Sequence, residues 1–454
     1  MIKEPSPDLT VSYYYNSEIM RLKIENIGKV RSADVKLNGL TVIAGENSSG
    51  KSTIGKILFS AIKAVAEARD NDDKNWEKAI NKMVSSLYMR IKSVAHRYDN
   101  PEIDNLFPIP YRRFTEGLME ADKSDELDKH LTILSEAIRS LEDVTPRMKA
   151  LMQQDLDNIS IGFKNKDNRA ATIKTIMEYS IESEFMNSIC SYGSNKASVF
   201  LEEKSENTYL DLQIAKEQVS SVKVGTGDPL ADATYVESPL YIHMLDTLLQ
   251  ADTFREAEGR YRRRSMLPIH IKDLAEKIDG LKMASDYPLF LEPLAIRDII
   301  HGEFVYDSKR RRLVFRQDGN DILPINVASG IKSFGLVQML LQTNTINANK
   351  VLIWDEPENH LHPEWQIAFA KLLVQLSNTG IPVLVSTHSP YFVQGVRFFA
   401  AQQDAEKYVN YYLTENCEDN LAELKEVTDD LNAIFVKLSK PLNEIMNVDL
   451  ARRK

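Results

Sequence analysis

The chain has 454 residues, more than one simple domain needs, which fits a large α/β core with a substantial insertion or two to three domains. Its 56 basic and 66 acidic side chains leave a net charge of −10, which excludes a surface basic throughout and confines any nucleic-acid contact to a local patch. Two cysteines, Cys190 and Cys417, are too few for a disulfide framework or a metal cluster and read as reduced thiols of a cytoplasmic protein. The first 19 residues lack the pattern of a secretory leader, and no stretch of about 18 apolar residues exists, so no membrane is expected as a partner.

Arg21 to Ile27 alternates with period two, Val35-Lys36-Leu37 continues the pattern, and Leu40 to Ala44 is apolar except for Thr41, which predicts strands. They lead into Gly45-Glu46-Asn47-Ser48-Ser49-Gly50-Lys51-Ser52-Thr53, followed by a helix from Ile54. A glycine-led turn between strand and helix points successive backbone N–H groups and a helix N-terminus at phosphate oxygens. Gly45, Asn47, Ser48, Ser49, Gly50 and Thr53 would form this cradle. Lys51 is placed to reach β- and γ-phosphates and the Ser52 hydroxyl to complete a Mg²⁺ shell, so a nucleoside triphosphate is the expected ligand.

Trp76, Ile80, Met83, Val84, Leu87 and Ile91 then recur at helical spacing. Leu127, Leu131, Leu134, Ile138 and Leu141 form a heptad-like seam that stops near Pro146. The seam reads as core packing of a helical hairpin, with a short partner-binding coiled coil as the alternative. Between Ser198 and Val224 the pattern switches to short alternating runs typical of antiparallel strands, and 241–281 is mostly helical. Glu303 to Tyr306 and Arg312 to Phe315 flank a polar turn and predict a hairpin. Strands and helices alternate to about residue 400, and Leu421 to Lys454 reads as a charged helical tail with Leu431, Ile434, Phe435 and Leu438 on one face.

A second apolar strand, Val351 to Trp354, ends in Asp355-Glu356-Pro357, which puts two carboxylates at the strand's C-terminal edge, where doubly wound sheets bind ligands. Asp355 is expected to hold Mg²⁺ through its water shell and Glu356 to orient or deprotonate an attacking water. A third strand, Val383 to Ser386, ends in Thr387-His388-Ser389-Pro390, where a neutral His388 would hydrogen-bond a γ-phosphate oxygen and sense its loss. Ala328-Ser329-Gly330-Ile331-Lys332-Ser333 opens another helix; by itself it is a plain N-cap, although Ser329 and Gly330 are also suited to meet an anion.

In this order the segments resemble the phosphate loop, signature, acidic strand, D-loop and switch histidine of ABC-class ATPases. The acidic segment, Asp355-Glu356-Pro357-Glu358-Asn359-His360-Leu361-His362-Pro363, is most similar to that of the SMC/RecF/OLD branch. The likeness covers residues 20 to 60 and about 300 to 400, and Tyr235 to Leu240 looks like that branch's Q-loop region without a clear Q-loop glutamine. The signature reads Ala-Ser-Gly-Ile-Lys-Ser where transporters carry Leu-Ser-Gly-Gly-Gln.

The resemblance implies an α/β fold: an ABC-type ATPase head, with a mixed sheet, a phosphate-loop core and an antiparallel β subdomain, carrying an inserted helical domain. Residues 1–60 would begin the head, 61–195 form the helical insertion, and 196–240 add strands and the Q-loop-like region. A helical signature-side subdomain would span 241–300, the rest of the head 301–400 and a helical tail 401–454. It also implies ATP hydrolysis with Glu356 and His388 as catalytic groups, ATP and Mg²⁺ as cofactors, and a homo-oligomer in which Ser329 meets the nucleotide of a second subunit.

Roughly 55 residues follow residue 400, too few for the nuclease domain often found in the OLD branch, so a separate nuclease effector subunit is expected. Compact ATPases of this kind resemble those of bacterial antiphage defence systems, the Septu ATPase slightly ahead of the PARIS ATPase. The alternative is an SMC/RecF-like repair ATPase that binds DNA. Two basic clusters, Arg260 to Arg264 and Lys309 to Arg312, are its candidate contacts, each read first as a solvated or partner-docking face.

Overall fold

A computed structural model describes residues 20–68, parts of 80–91, 111–123, 126–141, 144–164, 169–203, 208–225, 230–250, 267–284, 295–417 and 419–440. Arg260 to Arg264 and Trp76 lie outside the described residues. Strands β1 (Met20–Ile27), β2 (Val30–Leu37) and β3 (Leu40–Ala44) lead to helix α1 (Lys51–Glu67). Beyond the helical residues among 80–91 come α2 (Tyr111–Lys123), α3 (Leu127–Ser140), α4 (Pro146–Lys164) and α5 (Arg169–Phe185). The seam residues Leu127, Leu131, Leu134 and Ile138 are buried on α3 and share a core with Met152, Leu156 and Ile159 of α4, together with Ile80, Val84 and Leu87. Core packing is what the heptad spacing does here.

Strands β4 (Lys196–Glu203), β5 (Thr208–Ala215) and β6 (Gln218–Val224) form an antiparallel meander that joins β1, and β7 is Asp232–Val236. Helix α6 is Ile269–Asp279. The expected hairpin exists as β8 (Glu303–Asp307) and β9 (Arg312–Gln317), with β10 (Asn320–Ile322) as a third strand. After it come α7 (Ser329–Gln342), β11 (Lys350–Asp355), α8 (Pro363–Asn378), β12 (Val383–Thr387) and α9 (Pro390–Gln402).

Among the described residues eleven strands make one sheet, ordered β6-β5-β4-β1-β2-β14-β13-β3-β12-β11-β7, with β14 (Ala422–Glu426) and β13 (Val409–Asn416) inside it. From β13 to β7 neighbouring strands run parallel, so β3, β12, β11 and β7 all end at the same edge. Side chains alternate between two cores because strand residues point to opposite faces. Val42, Leu352, Trp354 and Val385 pack with α7, α8 and α9 on one face; Ile43, Ile353 and Leu384 pack with α1 on the other.

The region after residue 400 departs from the expected helical tail. Val409 to Asn416 lies beside β3 in the middle of the sheet, and Ala422 to Glu426, composed largely of helix formers, is a strand between β13 and β2. Pairing on both sides overrides local propensity. Among the described residues after β14 a helix spans 432–440, and Leu431, Ile434, Phe435 and Leu438 face the core.

Candidate functional site

The loop after β3 is locked by close backbone approaches. The Gly45 N–H donates to the Thr387 carbonyl at 3.2 Å, and a Cβ on Gly45 would lie 1.8 Å from Thr414 Oγ1. Gly50 caps α1 at φ +87°, where a Cβ would meet Val30 Cγ2 at 2.6 Å. The Ser49 hydroxyl donates to the Glu46 carbonyl at 2.7 Å and accepts from Thr414 Oγ1 at 2.8 Å. Strand β13, which the expected architecture left out of the head, therefore braces the loop.

Asn47, Ser48, Ser49, Gly50, Lys51, Ser52 and Thr53 line a cavity of about 250 Å³ with Glu356 and Lys29. Gly45 lies behind the loop, outside the lining. Lys51 is 4% exposed, and its Nζ donates to the carbonyls of Gly45 at 3.0 Å and Glu46 at 2.8 Å, 3.8 Å from Glu356 Oε1. Burial lowers its pKa against the opposing pull of Glu356 and Asp355.

The two carboxylates take different surroundings. Asp355 is 8% exposed and turned into the protein, where Oδ1 accepts from the Ser386 hydroxyl and Oδ2 from the Tyr235 hydroxyl at 3.1 Å. Glu356 sits at φ +48° with its N–H donating to the Ser386 carbonyl at 2.9 Å, and this left-handed residue turns its side chain to the cavity. Asn359 Nδ2 donates to Glu356 Oε2 at 3.0 Å.

His388 Nδ1 lies 3.4 Å from Glu356 Oε1 and 3.3 Å from Glu358 Oε1, a close charge approach without hydrogen-bond alignment. His388 holds the Glu356 carboxyl down to about 2, and Glu356 in turn raises the His388 pKa. The sequence suggests a neutral imidazole; the two carboxylates instead favour the protonated ring. His388 does not line the cavity and reaches it through Glu356.

Glu358, Ser386 and Tyr235 were given no role by sequence reasoning. Glu358 is 4% exposed, and its Oε1 accepts from Thr387 Oγ1 (2.6 Å), the His388 N–H (2.6 Å) and the Ser389 N–H (3.1 Å). It ties the acidic turn to the turn bearing His388. The signal was its place in the Asp355 to Pro363 motif; its task depends on a strand pairing invisible in that motif. Burial raises its pKa. Lys29, on the β1–β2 turn, was missed because a lone lysine in a polar turn carries no signal.

Ser329 and Gly330 are not brought to this cavity. Ser329 is the first residue of α7, and its hydroxyl donates to the His360 carbonyl at 3.2 Å, beside the turn after the acidic strand. A Cβ on Gly330 would lie 2.9 Å from Trp365 Cε3, so glycine lets the indole pack onto the helix start.

Of the oxygens expected to serve a divalent cation, the Ser52 hydroxyl lines the cavity, as does the Glu356 carboxylate, whereas Asp355 stands outside the lining. Hard oxygens of this kind suit Mg²⁺, which takes its remaining ligands from water and phosphate. Among the described residues no group of three or more His, Cys, Asp and Glu forms a metal cluster, and no helix is long and apolar enough to cross a membrane.

A phosphate loop, an acidic strand and a histidine turn stand side by side on the parallel edge of an α/β sheet, which is the site of an ATPase domain. Residues 18–393 match the AAA_15 family, described as an AAA ATPase domain, and the chain belongs to that family. No curated protein matches it. Similar solved structures include the SMC head domain from Thermotoga maritima (11% identity, 90% of this chain and 98% of that one, TM-score 0.36). Another is the Smc head domain with an extended coiled coil bound to the C-terminal domain of ScpA from Pyrococcus furiosus (9%, 96% and 99%, 0.37). A third is the ADP conformation of an ATP-binding cassette of an ABC transporter (11%, 94% and 98%, 0.30).

Proposed function

We propose that this ATPase binds ATP with Mg²⁺ at the 45–53 loop and closes into a homodimer or higher oligomer around it. The observation that carries this reading is the separation of Ser329 from the cavity. The loop, Lys51 and Glu356 surround one end of a triphosphate, while the signature helix start presents its hydroxyl elsewhere, available to a nucleotide held by a second copy. Gly45, Asn47, Ser48, Ser49, Gly50 and Thr53 shape the phosphate cradle, Ser52 and Asp355 are the metal-side oxygens, and Glu356 orients the water. Bound Mg²⁺ would neutralise charge that develops on the phosphates.

A carboxyl held at about 2 is a weak proton acceptor, so in this resting arrangement Glu356 positions water more than it deprotonates it. Relaxing the contact with His388 raises its basicity. Loss of the γ-phosphate removes the contacts that join the two copies, and the oligomer opens.

The oligomer serves as a nucleotide-gated platform for a separate nuclease effector, in the manner of a cytoplasmic antiphage ATPase of the Septu kind. Within the cluster Lys309 to Arg312, Arg310 is paired with Asp307 (3.5 Å) and Asp321 (3.1 Å), which favours a charge satisfied within the chain at that position over a contact with DNA. Sedimentation of Glu356→Gln with ATP and Mg²⁺ tests the oligomer, which should be larger than with ADP; equal sizes would refute it. Anisotropy of labelled duplex DNA tests the platform. Salt-sensitive binding by the ATPase alone would transfer the reading to a DNA-acting repair ATPase.

A further inference from the structure

We infer that Tyr235 is a positioning residue for Asp355, and that the buried Glu184–His270 pair holds Tyr235, so that the last turn of α5 bears on the metal-side carboxylate. This rests on the reading of Asp355 given above. Tyr235 is fully buried on β7, which runs parallel to β11, and its hydroxyl donates to Asp355 Oδ2 at 3.1 Å. With Ser386 on the other oxygen, Asp355 is pinned by two hydroxyl donors from the strands on either side.

The ring of Tyr235 is itself held. It packs against α1 at Gly55, where a Cβ would come within 2.8 Å of Tyr235 Cε2, and its centroid lies 4.8 Å from that of His270. Phe59 of α1 meets both rings edge-on, at 6.3 and 6.4 Å. His270 is fully buried, with its backbone N–H on Glu184 Oε1 (3.0 Å), Nδ1 on Glu184 Oε2 (2.7 Å) and Nε2 on Glu237 Oε2 (3.1 Å). Tyr241 donates to the same Glu237 oxygen at 2.9 Å. Glu184 lies in the last turn of α5, so α5, α6, α1 and β7 form a chain of contacts that reaches Asp355 through Tyr235. Groups that orient a metal-side carboxylate commonly change metal affinity by about 10- to 100-fold when lost.

The test uses the full chain with ADP and Mn²⁺, free Mn²⁺ being followed by electron paramagnetic resonance. Tyr235→Phe keeps the ring and removes only the hydroxyl. It should weaken Mn²⁺ binding about tenfold while labelled ADP binds in EDTA as it does to the parent. Glu184→Gln should weaken Mn²⁺ in the same direction. Parental Mn²⁺ affinity in Tyr235→Phe, or an equal loss of ADP binding in EDTA, overturns the positioning role, and parental affinity in Glu184→Gln overturns the link to α5. Asp355→Asn separates the two levels: if it binds Mn²⁺ like the parent, the reading of Asp355 itself fails.

Discussion

His388 Nδ1 stands 3.4 Å from Glu356 Oε1, and each group moves the other's pKa toward its charged form. The Glu356 contribution is present above its ordinary 4.5 and is lost as pH falls toward about 2. The His388 contribution is full below 6.5 and is lost as pH rises through its raised folded value. His388→Gln should therefore move the acid limb of the turnover profile upward, toward the ordinary carboxyl range. A pH–rate profile that keeps its acid limb in place would show that His388 does not set Glu356.

The two lysines at the cavity should differ in weight. Lys51 is buried against the loop, and Lys51→Ala should cost about 100-fold or more in ATP affinity, as loss of a charge-assisted contact inside a site does. Lys29 is exposed and screened, and Lys29→Ala should cost only about two- to fivefold, shrinking at high salt. Titration with a fluorescent ATP analogue at two salt concentrations reads both, and parental affinity in Lys51→Ala would remove the nucleotide from this loop.

Gly50 combines φ +87° with a close approach to Val30. Gly50→Ala should lower stability by about 1–3 kcal/mol through strain and overpacking. Denaturant unfolding measures it, and a midpoint equal to that of the parent would mean the β1–β2 turn yields freely.

A Ser329→Arg variant and a Lys51→Ala variant should each be inactive alone. Mixed, they should regain ATPase activity, because a mixed pair contains one intact loop facing one intact Ser329. A mixture as inactive as its components would place the whole site within one chain.

The buried His270 gives a separate pH signature. Burial opposes its charge, but hydrogen bonds to Glu184 and Glu237 outweigh that and raise its pKa, while His270 lowers Glu237 to about 2. The His270 contribution to stability is complete below the ordinary histidine value of 6.5 and declines as pH rises through the folded value. His270→Gln should flatten that alkaline decline in thermal melts. An unchanged slope would assign the decline to other groups.

Much of the site is legible locally. Gly45 to Thr53 needs only a strand, a glycine turn and a helix start, and Asp355-Glu356 needs only an apolar strand that ends in acids, so short-range patterns suffice. Thr414, by contrast, reaches Ser49 across 365 positions, and Tyr235 reaches Asp355 across 120. No local pattern encodes such contacts; the sheet order creates them. The same holds for 422–426, whose composition favours helix and whose neighbours make it a strand.

The sequence by itself determined the chemistry on offer: a phosphate loop, a lysine, two adjacent carboxylates and a histidine, each at a strand end. Only the tertiary structure decided how that chemistry is shared. The left-handed turn at residue 356 sends Glu356 to the cavity, while Asp355 stays under Ser386 and Tyr235, and Ser329 opens a helix outside the cavity. The physical reason is that strand periodicity is local, whereas the neighbours of each strand end are set by non-local pairing.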